Sequence, residues 1–163
     1  MHRIVKKTIG IVMYIHHLKK DIRLADSTDA DANGAPDTNE PNTIYHKKNK
    51  RWYVKCFVPI VQVGQRVRIN ESYSCPETIR PTYKEDMGAY IFLMSTTESV
   101  PKTTPVSLLK QQMCDAPVKY AVNFIESQAK RMSVRLQFDL ADIIVWVGAT
   151  GGGELQRTYS VNV

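Results

Sequence analysis

The stretch VRLQFDLADIIVWVGATGGGELQRTYSVNV, residues 134–163, carries the clearest structural pattern in the chain. Its first residues alternate between apolar and polar side chains, which is the period of a strand with one buried face. These are Val134, Arg135, Leu136, Gln137 and Phe138. The apolar run 143–147 predicts a strand buried on both faces, and the glycine-rich loop 148–153 leads into a last alternating strand. The carboxyl end therefore predicts a β-rich body.

Working toward the amino terminus, the segment WYVKCFVPIVQV at 52–63 is rich in aromatic and β-branched residues. Gly64-Gln65 follows, and alternation resumes at Arg66. Glycine at the first central position of a two-residue loop suits a type II′ turn, so the sequence predicts a β-hairpin here. Pro59 has no N–H for a ladder and predicts a bulge or an edge.

Two segments have helical character. Thr104-Pro105 is a helix-start signal, and Val106, Leu109 and Met113 after it share one helical face, which predicts one short internal helix. Residues 1–24 place apolar side chains at helical spacing among basic ones, which favours a basic amphipathic helix. Their β-branched residues leave a strand as the alternative. The predicted fold class is mainly β, either an antiparallel sandwich or an α+β layer, with these two helices.

Composition divides the chain into three parts. Residues 1–24 form a basic amphipathic segment, residues 25–42 an acidic flexible linker without apolar periodicity, and residues 43–163 a compact strand-rich domain. The formal net charge is +6, and it is unevenly distributed. Residues 1–24 hold six bases against one acid, 25–42 hold five acids and no base, and 46–68 hold seven bases and no acid. Two basic blocks therefore flank an acidic one.

The basic blocks predict a surface for nucleic acid or another anionic partner, because clustered positive charge next to aromatic rings neutralises phosphates while the rings stack on bases. The candidate residues are Lys6, Lys7, Lys19, Lys20, Lys47, Lys48, Lys50, Arg51, Trp52, Arg66 and Arg68. Arg66 and Arg68, on the strand expected to pair with 52–63, would extend the positive face. The alternatives are a solvated strand entry with Trp52 in the core, and a nuclear-import signal.

The acidic linker matches the spacing of a calcium-binding loop. Its oxygen donors would be Asp29, Asp31, Asn33, Asp37 and Glu40. Gly34 would supply the sharp turn, but Pro36 and Pro41 occupy positions where such a loop and its second helix need backbone N–H groups. A solvated linker is the alternative reading of this composition.

No catalytic signature appears in the sequence. All four histidines precede residue 47, so a catalytic site in the strand-rich part would have to work without histidine, and we predict a protein that is not an enzyme and needs no cofactor. Cys56, Cys75 and Cys114 are widely spaced and predict reduced thiols. The apolar stretch near the amino terminus is interrupted by charged residues, so we expect a protein that is not secreted.

A basic amino terminus, a polar linker and a compact strand-rich domain together resemble the short matrix proteins of plant rhabdoviruses, of the cytorhabdovirus type. The resemblance implies binding to a nucleocapsid and to an anionic membrane surface, self-association into a homo-oligomer, and a location in the virion and host cytoplasm. The sequence lacks the Pro-Pro-x-Tyr motif that animal-virus relatives use in budding. The ending DIIVWVGATGGGELQRTYSVNV is similar to the closing strand pair of nanovirus coat proteins, which makes a jelly-roll capsid protein the second interpretation. A calcium-binding β module is the third.

Overall fold

The computed structural model of the chain describes residues 1–16, 43–46, 50–78, 90–121, 131–149 and 154–159. Two antiparallel sheets dominate these ranges. In chain order the strands are β1 (His2–Ile4), β2 (Thr8–His16), β3 (Thr43–His46), β4 (Arg51–Val61), β5 (Arg66–Arg68), β6 (Ser72–Ser74), β7 (Tyr90–Thr96), β8 (Thr104–Pro105), β9 (Val118–Ala121), β10 (Met132–Phe138), β11 (Ile143–Ala149) and β12 (Glu154–Tyr159). The predicted mainly β fold is confirmed.

The two sheets pack face to face as a sandwich. The larger has the strand order β3-β4-β2-β7-β9, with β8 paired to β4, and the smaller has the order β12-β11-β10-β6. Inward side chains of both sheets form one apolar cluster, which includes Ile11, Val58 and Leu93 from the larger sheet and Leu136 and Val145 from the smaller. These five are at most 2% exposed, so this cluster is the main source of hydrophobic stabilisation.

The amino-terminal segment is built of strands in its described part, so the predicted amphipathic helix is wrong there. β2 lies between β4 and β7 in the larger sheet and pairs with both. Ile11 and Ile15 are four residues apart, a spacing that fits one face of a helix and one face of a strand equally well. The strand is favoured because the segment is rich in β-branched side chains and pairs with a neighbouring strand on each side. Residues 2–16 are thus part of the folded sheets, although the sequence placed the start of the domain at residue 43.

The predicted hairpin at Gly64 is also wrong. β4 pairs with β2, whereas β5 pairs with β1, and the two registers are continuous: Ile9 pairs with Val61 and Ile4 with Arg66. Residues 2–16 and 51–68 therefore form one long antiparallel ribbon that is kinked in the middle. At the kink, the Gln65 N–H donates to the Gln62 carbonyl, and Gly64 has φ +84° as the third residue of that turn. This position matches a type II turn rather than type II′.

A bulge lies at the position that Pro59 predicts. The register between β2 and β4 shifts between Ile9 and Gly10, because Ile9 pairs with Val61 and Gly10 pairs with Pro59. Ile60 is the extra residue on the bulged strand. Of the two predicted alternatives, a bulge or an edge, the bulge is confirmed.

The predicted internal helix is replaced by two short 3₁₀ turns, Val106–Leu108 and Gln111–Met113. Thr104 does not cap a helix, because its hydroxyl donates to the Lys102 carbonyl and its backbone is extended in β8, opposite Phe57. Leu109 is buried with Phe57 and Met94 in a second, smaller apolar cluster on the outer side of the larger sheet. Packing the apolar side chains of this short segment against the sheet takes precedence over helix propensity.

The carboxyl-terminal strands occur where the sequence places them. Burial in β10 alternates as predicted. In β11, however, only Ile143, Val145 and Val147 are buried, while Ile144 and Trp146 are partly exposed on the outer face. In the smaller sheet β10, β11 and β12 are neighbours in chain order, and β6 pairs with the other side of β10.

Candidate anion-binding surface

The outer end of the kinked ribbon presents basic side chains to solvent. Directly paired residues of antiparallel strands share a face, and the register pairs His2 with Arg68 and Ile4 with Arg66. All four are exposed, whereas Val67 between the two arginines is buried on the opposite face. We call His2, Ile4, Arg66 and Arg68 the ribbon face.

His2 reports the positive potential of the ribbon face. Partial desolvation is the largest cause that lowers the pKa of its imidazole, and the charges of Arg66, the amino terminus and Arg68 follow, while Glu71 acts in the opposite direction. Arg66 Nη2 lies 3.3 Å from His2 Nδ1. Because a guanidinium only donates hydrogen bonds, His2 Nδ1 must be the acceptor, which requires a neutral ring. An anion placed here would relieve the repulsion that opposes protonation of His2.

Arg68 forms an ion pair with an acidic neighbour, but the pair is weak enough for an anionic partner to replace the acid. Its Nη1 lies 3.2 Å from Glu71 Oε1, and the two side chains are 61% and 51% exposed. Exposed pairs of this kind contribute roughly 0–1 kcal/mol, so a phosphate can displace the carboxylate at little cost. Arg68 therefore remains a candidate anion ligand.

Lys7, by contrast, is engaged in the fold. Its Nζ lies 2.5 Å from Asp115 Oδ2, and its side chain is only 18% exposed. Asp115 also accepts a 2.6 Å hydrogen bond from the hydroxyl of Ser95, a residue with no exposed surface. The hydrogen bonds from Lys7 and Ser95 lower the pKa of the Asp115 carboxyl. Lys7 thus links the β1–β2 connection to the segment before β9, whereas its neighbour Lys6 is exposed.

The second predicted basic segment lies at the other end of β4. Lys50 is exposed with φ +55°, in the turn before β4, and the Trp52 ring lies 5.3 Å from the ring of Tyr45 on the paired strand. β4 has 11 residues, so about 33 Å separates its two ends. Arg66 and Arg68 therefore do not extend the positive face of Lys50 and Trp52, contrary to the sequence prediction. The two form separate basic regions.

Several predicted residues cannot be assigned to either region. Lys19, Lys20, Lys47 and Lys48 lie outside the described residues, and of Arg51 only the backbone is described, paired with His46. The proposed calcium ligands Asp29, Asp31, Asn33, Asp37 and Glu40 also lie outside them. Among the residues that are described, no three His, Cys, Asp or Glu side chains come together as a metal site.

Sequence reasoning missed a further charged surface, on the outer face of the larger sheet. Lys55 on β4 is directly opposite Tyr14 on β2, and Phe92 on β7 is directly opposite Lys119 on β9. Phe92 also pairs with Val12, so Tyr14 and Phe92 are diagonal neighbours about 7–8 Å apart. We call Lys55, Tyr14, Phe92 and Lys119 the outer stripe. Its members come from four different strands. The sequence could reveal this surface only if the pairing of these strands were already known.

The outer face of the smaller sheet carries another group of interacting polar and aromatic side chains. Arg135 stacks 4.7 Å from the ring centroid of Trp146, its cross-strand partner, and also donates to the hydroxyl of Ser72. The indole N–H of Trp146 donates to Gln137 Oε1 over 2.8 Å. These contacts satisfy the indole within the sheet and hold it against its neighbours. The sequence did not predict this group, because residues 143–147 are all apolar and only the fold shows which of them face outward.

No helix in the described parts of the chain is both long enough and apolar enough to cross a membrane. Comparison with protein-family models, with curated protein sequences and with solved structures found no match for this chain.

Proposed function

We propose that this protein is a non-enzymatic, matrix-like structural protein of a virus, which binds the phosphates of a nucleocapsid's nucleic acid through the ribbon face. The observation that carries the proposal is the strand register, which places the exposed side chains of Arg66 and Arg68 on one face of the ribbon beside His2. Two guanidinium groups that share one exposed face create a positive potential, which favours an anion. The resemblance in charge layout and organisation to plant rhabdovirus matrix proteins supplies the viral context, in virion and host cytoplasm.

The chemistry of the ribbon face favours nucleic acid over an anionic membrane. Arg66 and Arg68 carry planar guanidinium groups, which match phosphate oxygens in pairs. Ile4 is 54% exposed, but it is one aliphatic side chain, which supplies little area for insertion among lipids.

The decisive experiment compares two charge-matched double variants in RNA binding at several salt concentrations. Arg66→Gln with Arg68→Gln removes two guanidinium groups from the ribbon face. Lys102→Gln with Lys110→Gln removes two exposed charges from the 97–114 segment and serves as the control. For single-stranded RNA, each lost phosphate contact reduces the slope of log K against log salt by about 0.7, so the ribbon variant should lose about 1.4 and the control little.

Vesicles of neutral lipid with and without phosphatidylserine form the second arm of that experiment. The ribbon variant should bind RNA more weakly than the wild type, with the smaller salt slope, and should bind vesicles as the wild type does. Equal RNA binding by the ribbon variant and the lysine control would contradict the proposal. Loss of vesicle binding with RNA binding intact would reject nucleic acid as the partner.

A further inference from the structure

The outer stripe combines positive charge with exposed aromatic surface. Tyr14 and Phe92 are each 38% exposed, and the sequences of β2, β4, β7 and β9 contain no Asp or Glu. Lys55 and Lys119 lie at its two ends. Across the sheet they are three strand spacings apart, and along the strand direction they are offset by two residues. Their Cα atoms are thus about 16 Å apart. The stripe is an apolar strip bounded by two cations.

The turn between β10 and β11 has the complementary chemistry. Leu140 is 67% exposed and lies between two exposed acids, Asp139 and Asp142. A hydrogen bond of 2.9 Å from the Asp139 N–H to the Asp142 carbonyl closes the turn, which brings the two acidic residues together at its base. We call residues 139–142 the acidic tip.

The acidic tip is held in place mainly by hydrogen bonds to its backbone, which leave the negative charge of its carboxylates unneutralised. Arg3 Nη1 donates to the carbonyl oxygens of Asp139 and Asp142, at 3.0 and 3.4 Å. Asp139 Oδ1 accepts a 2.8 Å hydrogen bond from the Leu140 N–H. Within the described ranges, neither carboxylate forms an ion pair. The tip is therefore a hydrogen-bonded turn that presents a leucine between two carboxylates.

We propose that the acidic tip of one copy of this protein docks on the outer stripe of a second copy. Leu140 would cover the rings of Tyr14 and Phe92, and the carboxylates of Asp139 and Asp142 would meet Lys55 and Lys119. The four-carbon stems of the lysines are flexible enough to reach inward toward acids that are closer together than the lysine Cα atoms are. Apolar surface and opposite charge are thus matched in one contact.

The two surfaces predict the form of the assembly. The tip is a turn of the smaller sheet, and the stripe lies on the outer face of the larger sheet, so each copy offers two different surfaces. A contact between different surfaces is heterologous and forms either rings or open chains. One turn against four side chains buries less than the roughly 1,200 Å² of a stable interface, so a single contact is weak and assembly depends on concentration.

The test is sedimentation velocity of the full chain at low ionic strength, from about 10 µM to about 500 µM, a range that covers weak association. The wild type should associate as concentration rises, and added salt should reverse this. Asp139→Lys with Asp142→Lys should remain monomeric, and so should Lys55→Glu with Lys119→Glu. An equimolar mixture of these two variants pairs a basic tip with an acidic stripe and the native tip with the native stripe, so the mixture should associate again.

Recovery in the mixture would also show that both variants are folded. Leu140→Asn provides a variant without a charge change at an exposed position, and it should raise the apparent Kd about tenfold, because a leucine burial worth about 1.4 kcal/mol is lost. Lys102→Glu with Lys110→Glu is the control for charge reversal elsewhere and should associate as the wild type does. A monomeric wild type over the whole range, or a mixture that stays monomeric, would overturn the inference.

The inference does not depend on the proposed function, and the two fail separately. Leu140→Asn should bind RNA as the wild type does, and Arg66→Gln with Arg68→Gln should still self-associate. Self-docking would be overturned by two results together. Leu140→Asn would associate as the wild type does, and Lys55→Glu with Lys119→Glu would lose more RNA binding than the control Lys102→Glu with Lys110→Glu. These results would assign the outer stripe to nucleic acid.

Discussion

Gly10 shows how closely two strands approach at the bulge. A Cβ atom built on Gly10 would lie 2.8 Å from Pro59 Cα and still closer to the Val58 carbonyl oxygen. Both are backbone atoms in the interior of the larger sheet, so they cannot move aside as a flexible side chain would. We expect Gly10→Ala to lower the free energy of unfolding by about 2 kcal/mol, measured by urea denaturation.

Gly64→Ala is the matched control for that substitution. Gly64 has φ +84° with open space around its Cβ position, so an alanine there meets only backbone strain of about 1 kcal/mol. Because only the Cβ at position 10 meets backbone atoms, Gly10→Ala should be the more costly of the two. A cost for Gly10→Ala equal to or below that for Gly64→Ala would contradict the close approach.

His2 provides a spectroscopic probe of the ribbon face. Two of the causes that lower its pKa are the charges of Arg66 and Arg68, so Arg66→Gln should raise this pKa toward the ordinary value. Binding of a phosphate-rich oligonucleotide should raise it as well, because the anion stabilises the imidazolium. By linkage, binding should then strengthen as the pH falls through the range between the free and bound pKa values. An NMR titration of the His2 ring protons measures both shifts, and an unchanged pKa in both cases would remove the evidence for positive potential here.

At the scale of elements, Lys7, Ser95 and Asp115 tie the start of β2 to the segment that precedes β9. Hydrogen bonds from Lys7 and Ser95 lower the pKa of Asp115 in the folded protein. A carboxyl with a lowered folded pKa contributes stability that is present above its unfolded pKa of about 3.9 and lost as pH falls through the folded pKa. The wild type should therefore lose, below about pH 4, a stability advantage over Asp115→Asn that it holds at pH 6. Because Asp115 is half exposed, we expect that advantage to be at most about 1 kcal/mol.

Urea denaturation of both proteins at pH 6 and pH 3 measures this difference directly. Asp142→Asn is a suitable control, since Asp142 is exposed and its carboxylate forms no ion pair within the described ranges. A pH-independent difference between the wild type and Asp115→Asn would show that the carboxylate does not act through its charge.

At the scale of the whole molecule, the two sheets share one core, and two cysteines report on it. Cys56 lies on β4 of the larger sheet and Cys75 follows β6 of the smaller, and both belong to the shared apolar cluster. Burial raises the pKa of Cys75 to about 12. Since alkylation requires the thiolate, both thiols should react with iodoacetamide only when the sheets separate.

Their labelling at pH 8 should therefore be slower than that of an unfolded peptide by about 10³-fold or more, and it should accelerate in step with global unfolding as urea is added. Cys114 is partly exposed outside this cluster and should react first. Mass spectrometry of digested protein assigns each modified thiol, and Cys114→Ser isolates the two core cysteines. Labelling of Cys75 at the rate of Cys114 in native buffer would show that the smaller sheet opens independently.

The sequence by itself determined the β-rich class, the strands of the carboxyl half and the bulge at Pro59. These are local properties, because alternation of apolar and polar side chains and the missing N–H of proline act within a few residues. The choice between helix and strand for residues 8–16 was not local, since Ile11 and Ile15 fit both periods.

Tertiary structure alone decided which strand each segment pairs with, and with it which charges remain available. β5 pairs with β1 rather than with β4, which separates Arg66 and Arg68 from Trp52 and joins them to His2. The outer stripe and the acidic tip likewise arise from strands far apart in the chain. Pairing depends on burying apolar faces across both sheets at once, a free energy that belongs to the assembled core and cannot be read from any single segment.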